Sequence, residues 1–174
     1  MLQHLPSRLL ALLLFPILLA PFQAQADLYP GDIAFIGMNT EGEQDRFAFA
    51  ALVDIPGGEQ ITFTDAGRMY PERQFRAGEG FIIWTAPSSG LDAGDVFELS
   101  LPDQLSTNGD QLFAFQGPDS DPRFIAGLNN RGLGWQITAS DEFSSALPLQ
   151  LENCLTAISL QRQDNIEYEG SLSG

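Results

Sequence analysis

Basic residues are scarce in this chain of 174 residues, and one basic type is missing. The sequence contains eight Arg, no Lys and a single His, His4. Without Lys it lacks the amine of Schiff-base enzymes and the lysine of phosphate-binding loops. His4 lies in a segment that we expect to be removed, so the exported protein would also lack an imidazole base for nucleophilic catalysis.

Cysteine is equally rare, because Cys154 is the only one. One cysteine supplies neither a disulfide framework nor the ligand set of a Cys/His zinc site. Cys154 stands just before an apolar run, which predicts a buried structural thiol rather than a reactive one.

Acidic residues are abundant: 23 Asp and Glu against 8 basic residues give a formal charge of -15. A field of this sign repels nucleic acid and an anionic membrane surface, so neither is expected as a partner. Calcium would be a complementary partner, although acidity alone also serves solubility. We assign no catalytic, cofactor-binding or metal-binding residue from the sequence.

Residues 1–26 have the features of a secretory signal peptide. Arg8 supplies the positive charge, 9–20 (LLALLLFPILLA) is an apolar run expected to be helical, and 24–26 (AQA) is a cleavage motif. The run is shorter than the roughly 20 residues of a membrane span, and Pro16 interrupts it. The sequence therefore predicts a secreted or periplasmic protein with no membrane association after cleavage.

Residues 27–174 are predicted to form a single all-β domain. Short strand-like segments recur between clusters of Gly, Pro, Asp and Asn, and several alternate as strands with one buried face do. This pattern favours an antiparallel, immunoglobulin-like β-sandwich of about eight or more strands, with at most one helical turn near 140–147. The predicted strands are 33–37, 47–53, 60–64, 81–85, 96–101, 111–115, 124–128 and 157–160.

Five glycine–acid pairs precede predicted strands. Glycine supplies the positive φ of a tight turn, so repeated turn chemistry is the favoured interpretation. The alternative is a rim of converging carboxylates that binds calcium. The acids of these pairs are Asp32, Glu59, Glu79, Asp95 and Asp110. For the D-x-D of Asp119 and Asp121, a solvated turn is likewise favoured over a cation site.

A glycoside hydrolase that works with two carboxylates is the alternative function that composition leaves open. Glu79, near Phe81 and Trp84, is the residue to consider for it, although a turn role is favoured. Trp84 lies in an apolar run and is predicted to be in the core. Trp135, flanked by glycines, is the better candidate for a surface ring that stacks on sugar.

Several strings, in a set order, resemble an all-β module found in exported bacterial proteins, often at the N-terminal side of longer ones. The resemblance covers most of 31–170 and implies no catalytic residues. A more distant similarity to lamin-tail-type immunoglobulin-like domains implies the same sandwich. The strings are GDIAFIGMN (31–39), RFAF (46–49), LVDIP (52–56), ITFTDAG (61–67), FIIWTAP (81–87) and NGDQLFAFQG (108–117).

The sequence thus predicts a secreted, non-catalytic binding or structural module, monomeric, whose partner is an extracellular protein or glycan. Binding residues on rigid β scaffolds usually lie in loops. The loops favoured here are 38–45, 66–76, 118–123 and 129–135. Because 164–174 ends in turn-like composition, a partial exoprotein whose activity lies in a downstream segment is a further alternative.

Overall fold

The computed structural model describes residues 26–41, 44–101 and 105–171. Alternating apolar residues and glycine-bearing turns divide them into nine short strands. The strands are β1 Ile33–Asn39, β2 Arg46–Ala51, β3 Gln60–Thr64, β4 Phe81–Thr85, β5 Val96–Ser100, β6 Gln111–Gln116, β7 Arg123–Asn129, β8 Ala157–Ser159 and β9 Asn165–Glu167.

These strands form two sheets. The first has the order β5-β2-β1-β9, and all its neighbours are antiparallel. The second has the order β4-β3-β6-β7-β8, and it is antiparallel except for the parallel pair β7–β8. The prediction of a purely antiparallel arrangement is therefore wrong at β8, because the chain makes a long excursion after β7 before it pairs with that strand.

Aromatic rings fill the space between the sheets. Phe47 and Phe49 of β2 each lie 5.1 Å, centroid to centroid, from Phe63 of β3. Trp84 of β4 packs edge-on against Phe49 at 5.3 Å. Phe35 of β1 completes the group at 6.1 Å from Phe63. Residues of both sheets thus share one core, which gives the molecule its sandwich character and confirms the core position of Trp84.

The second sheet is covered on its outer side as well. Every residue of β6 is buried. Leu112 and Ala114 belong to the core between the sheets, whereas Phe113 and Phe115 belong to a second apolar cluster on the other side. The expectation of one buried face is wrong for β6, because loop segments carrying Phe75, Trp135, Leu147 and Leu151 cover its outer phenylalanines.

The predicted strands are all present, with ends shifted by at most two residues, and β3 and β4 have the predicted bounds. β9 was not predicted, because three residues of polar sequence carry no periodicity. No helical turn forms at 140–147, where at most one was expected: the Ser144 hydroxyl accepts the N–H groups of Ser140 and Asp141, which closes a non-helical turn. The apolar helix of the leader lies outside the described residues.

Two further findings concern Cys154 and membrane spans. Cys154 is exposed, with a φ of 67°, so the prediction of a buried thiol is wrong. It lies in a turn, where its N–H donates to Ala157 O at 2.7 Å. Within the ranges that the structure describes, no helix has the length and apolar character required to cross a membrane.

The glycine–acid pairs lie in turns, as predicted. The glycines at 31, 58, 78, 94 and 109 have φ between 83° and 98°. They differ in their surroundings, however. A Cβ at Gly109 would lie 2.5 Å from Arg131 Cα, whereas a Cβ at Gly78 would meet nothing within 4 Å.

This difference predicts unequal costs for two otherwise equivalent substitutions. Gly78→Ala should destabilise the protein by about 1–2 kcal/mol, because only the positive φ is strained. Gly109→Ala should cost at least about 1 kcal/mol more, because the backbone at Arg131 must also move. Urea unfolding of both variants measures the difference, and equal losses would contradict the packing described for Gly109.

Candidate functional site

The acids of the glycine–acid pairs do not converge on one rim. The Asp32 carboxylate accepts the Tyr29 N–H at 2.7 Å, and that of Asp95 accepts the Asp92 N–H at 2.9 Å, so each closes its own turn. Glu59 is buried and accepts the Ala26 N–H at 2.6 Å and a hydrogen bond from Gln116 Nε2. Only Glu79 and Asp110 line a common cavity.

That acidic cavity has a volume of about 200 Å³, and Asp65 and Glu142 also line it. Burial raises the pKa of Glu79 to about 7, and the charge of Asp65 contributes. Arg76 Nε lies 3.4 Å from Glu79 Oε1, but this ion pair lacks hydrogen-bond geometry. Burial also raises the pKa of Asp110 well above its usual value, against the hydrogen bonds that its carboxylate accepts from the Ser106 and Gln111 N–H groups.

The buried Gln111 binds three oxygens of residues that line this cavity. Its buried Nε2 donates to Asp110 Oδ1 at 2.9 Å, to Glu142 O at 3.2 Å and to Asp65 O. The oxygens that converge here are therefore bound by an amide. Within 26–41, 44–101 and 105–171, no group of three or more Asp, Glu, His or Cys side chains is arranged to hold a metal ion. Calcium binding stays a prediction.

A second cavity forms on the outer side of the second sheet, and the segment 66–76 builds one of its walls. The backbone of Arg68 is fixed by Ser145 Oγ, which accepts its N–H at 2.8 Å, and by the N–H groups of Ala139 and Ala146, which donate to its carbonyl at 3.0 Å. Arg68 also forms an antiparallel bridge to Phe75. The segment is thus held as a rigid excursion between β3 and β4.

The Arg68 side chain lies against aromatic rings beneath this excursion. Its guanidinium carbon is 4.6 Å from the centroid of Phe75 and 5.2 Å from that of Phe124, which is favourable for a cation. Nη2 donates to the carbonyl of Arg73. Only 8% of the residue is exposed, and the buried Nη1 has no hydrogen-bond partner.

Three segments enclose the cavity that Arg68 lines, which has a volume of about 290 Å³. Gln150 joins two of them, because its Nε2 donates to Pro122 O at 3.2 Å and its Oε1 accepts the Phe124 N–H at 3.4 Å. The wall is apolar at Pro148 and Leu149 and polar at the loop of Asp121. The lining residues fall within 68–73, 120–124 and 146–150. We call this the Arg68 cavity.

The Arg68 cavity brings together two arginines that form no ion pair. Four other arginines are paired: Arg46 with Glu98, Arg76 with Glu79, Arg123 with Asp27 and Arg131 with Asp141. Arg68, Arg73 and the exposed Arg162 have no such partner among the described residues, and Arg162 lies away from the cavity. Burial lowers the pKa of the Arg68 guanidinium, and the charge of Arg73 lowers it further. An acidic protein thus holds two unneutralised cations at one cavity.

The loops that the sequence favoured contribute unequally. The 66–76 and 118–123 loops meet at the Arg68 cavity, and Asp121 of the D-x-D lines it from an exposed turn. The 129–135 loop does not line it. Of the 38–45 loop, Met38 and Asn39 belong to β1, while 42–43 lie outside the described residues.

Trp135 has a packing role that the sequence did not indicate. Its ring stacks on Phe113 at 5.6 Å, and its Nε1 donates to Asn153 Oδ1 at 3.1 Å. One face of this half-buried ring is therefore engaged on the outer side of β6, and stacking of a sugar on Trp135 stays a prediction.

A larger cavity lies elsewhere, on the outer face of the first sheet. It measures about 600 Å³ and is lined mainly by strand residues such as Gly37, Ala48 and Val96. Its charged rim at Arg46 is neutralised by Glu98 at 3.0 Å. It offers an open apolar floor without an unsatisfied buried polar group, so it specifies a ligand less well than the smaller Arg68 cavity does.

Sequence reasoning missed Arg68 and the segment 146–150. Three of the eight arginines lie within 68–76, and this local concentration in a lysine-free acidic chain was the available signal. The segment 146–150 carried no signal, because its place at the cavity depends on contacts with Pro122 and Phe124.

The raised pKa of Glu79 predicts that stability falls as pH rises. Between the ordinary value of 4.5 and about 7 the folded protein binds a proton that the unfolded chain has lost, so protonation favours the folded state in this window. Glu79→Gln should therefore raise the Tm at pH 8 by about 2–4 °C, which corresponds to about 1 kcal/mol in a chain of this size. At pH 4 the variant and the wild type should melt alike.

Glu72→Gln is the matched control, because it removes the same charge from an exposed position of the same excursion. Its Tm relative to wild type should not change between pH 4 and pH 8. Thermal scans at both pH values measure the effect. A Glu79→Gln variant that gains no more at pH 8 than Glu72→Gln would contradict the burial of Glu79.

Comparison with known proteins assigns no family. No family model, no curated protein and no solved structure matches the chain significantly. A function is therefore inferred from the contacts and charges of the chain's own residues.

Proposed function

We propose that the protein is a non-catalytic binding module of the cell exterior, whose ligand occupies the Arg68 cavity. The observation that carries the proposal is the pair of arginines, Arg68 and Arg73, that lines a loop-built cavity without an ion-pair partner among the described residues. Each of these like charges disfavours the other, so an anionic or polar ligand at the cavity would be stabilised. Loops on a rigid sheet commonly bind ligands in this way.

Composition favours binding over nucleophilic catalysis. The chain has no Lys, and its only His belongs to the proposed leader. The Arg68 cavity presents guanidinium, carboxylate, hydroxyl and amide groups at Arg68, Asp121, Ser120 and Gln150. None of these forms a nucleophile–base pair, and together they suit the orientation of a polar ligand.

Export and an immunoglobulin-like arrangement are part of the proposal. The signal-peptide features of 1–26 support a secreted or periplasmic location. The two-sheet sandwich supports a relation to immunoglobulin-like domains of lamin-tail type, although the parallel β7–β8 pair is unusual for them.

Two leucines with nearly equal exposure test where the ligand binds. Leu149 lines the Arg68 cavity and is 74% exposed, whereas Leu155 lies outside it and is 71% exposed. A panel of extracellular glycans and peptides is titrated into labelled protein and followed by two-dimensional NMR. For any ligand found, Leu149→Asn should weaken binding about tenfold, since a buried Leu contributes about 1.5–3 kcal/mol. Leu155→Asn should leave it unchanged. Equal effects of the two substitutions on affinity, or NMR chemical-shift changes confined to the first sheet, would contradict this site.

The second candidate is a carboxylate-based glycoside hydrolase. It is favoured by Glu79, whose pKa of about 7 in a cavity shared with Asp65 suits a general acid. Hydrolysis of a polysaccharide panel measures it, with Glu79→Gln as the variant and Glu72→Gln as the control. Turnover that Glu79→Gln abolishes and Glu72→Gln retains would replace the binding proposal.

A further inference from the structure

We infer that the Arg68 cavity binds a carboxylated sugar ring, namely a hexuronate unit of a short oligosaccharide or at the end of a chain. This inference rests on the proposed function and names its ligand class. Arg73 is exposed and Arg68 is buried at this cavity, and neither forms an ion pair among the residues described. A carboxylate matches the planar donor fork of a guanidinium, so it would pair with the accessible guanidinium of Arg73, and the buried charge of Arg68 would add to the attraction.

The surroundings of Arg68 strengthen this attraction. The guanidinium is shielded from water by Phe75 and Phe124, at 4.6 and 5.2 Å. An ionic contact in a shielded site is stronger and less sensitive to salt than one at the open surface. The nearest carboxylate in the lining, Asp121, is exposed and forms no ion pair with Arg68, so the charge of Arg68 is not cancelled from within.

The rest of the lining suits a sugar ring. A volume of about 290 Å³ is near the lower limit of small-molecule sites, which favours a single ring. Ser120, Asp121 and Gln150 can exchange hydrogen bonds with ring hydroxyls. The half-exposed ring of Tyr70 and the ring of Pro148 offer flat apolar surface to the C–H face of a sugar.

A peptide carboxylate is less well matched. Extended peptides commonly bind by pairing with an open strand edge. The strand residue at this cavity is Phe124 of β7, which pairs with β6, while its N–H donates to Gln150 Oε1 and the carbonyl of the next residue, Ile125, accepts the Gly31 N–H. The remaining walls are loops, so the cavity offers side chains and a ring-sized space but no ladder for a peptide backbone.

The charge of -15 restricts the ligand to a short or terminal unit. A long polyuronate would carry many negative charges across an acidic surface and be repelled. At physiological ionic strength the screening length is about 8 Å, so the distant acids act weakly on one carboxylate held at hydrogen-bond distance from a guanidinium.

Calorimetric titration with digalacturonate, its methyl ester and a tripeptide with a free C-terminal carboxylate tests the inference. Digalacturonate should bind at least about tenfold more tightly than its ester, since a hydrogen bond to a charged group contributes about 1.5–3 kcal/mol. Arg73→Gln should remove most of that preference. Arg162→Gln, an exposed arginine away from the cavity, is the matched control and should retain it.

Arg73→Lys separates the planar fork from the charge, and a thermal scan shows that the variant is folded. A folded Arg73→Lys protein should lose about tenfold in digalacturonate affinity, because an ammonium cannot form the planar fork. Equal binding of the acid and its ester at the Leu149-sensitive site would overturn the carboxylate inference while the binding proposal stands. Tighter binding of the tripeptide would overturn the sugar assignment. Absence of binding to all three probes would overturn the inference, and the wider ligand panel would then decide the proposed function.

Discussion

The outward phenylalanines of the second sheet impose the main constraint on this molecule. Phe113, Phe115 and Phe124 point away from the core between the sheets, and they would be an apolar surface in water if nothing covered them. The excursion between β3 and β4 and the long segment between β7 and β8 cover them with Phe75 and Trp135. The loops are therefore a third layer of packed structure, and the positions of both cavities follow from that layer.

The same loop layer places acidic groups in one cavity and a buried cation in the other. On one side Asp65 shares a cavity with Glu79 and Asp110, and burial together with the charge of Asp65 raises the pKa of both Glu79 and Asp110. On the other side Arg68 is buried against aromatic rings without a counter-ion. Asp65 and Arg68 are only three residues apart on the excursion, yet they line different cavities. They are separated because the backbone of Arg68 is hydrogen-bonded to Ser145 and Ala146.

Local sequence patterns predicted the strands well and the site only in part. The segments 60–64 and 81–85 alternate and are bounded by turn residues, so their limits could be predicted to the residue. The turns at Gly31 and Gly94 were likewise evident from local chemistry. Arg68 was not evident, because its environment requires Phe124 and Ala146, which lie more than 50 residues away in sequence. The burial of Phe113 and Trp135 and the exposure of Cys154 depend on the same long-range contacts.

The proposed function depends on the binding of an anion at the two unpaired arginines of the Arg68 cavity, Arg68 and Arg73. A crystal structure of the protein with digalacturonate is the most direct measurement of it. We expect a sugar carboxylate within about 3 Å of an Arg73 guanidinium nitrogen, the separation of a charge-assisted hydrogen bond, with the ring between Tyr70 and Pro148. A sugar bound on the outer face of the first sheet, or in the acidic cavity at Glu79, with the Arg68 cavity holding only solvent, would contradict it.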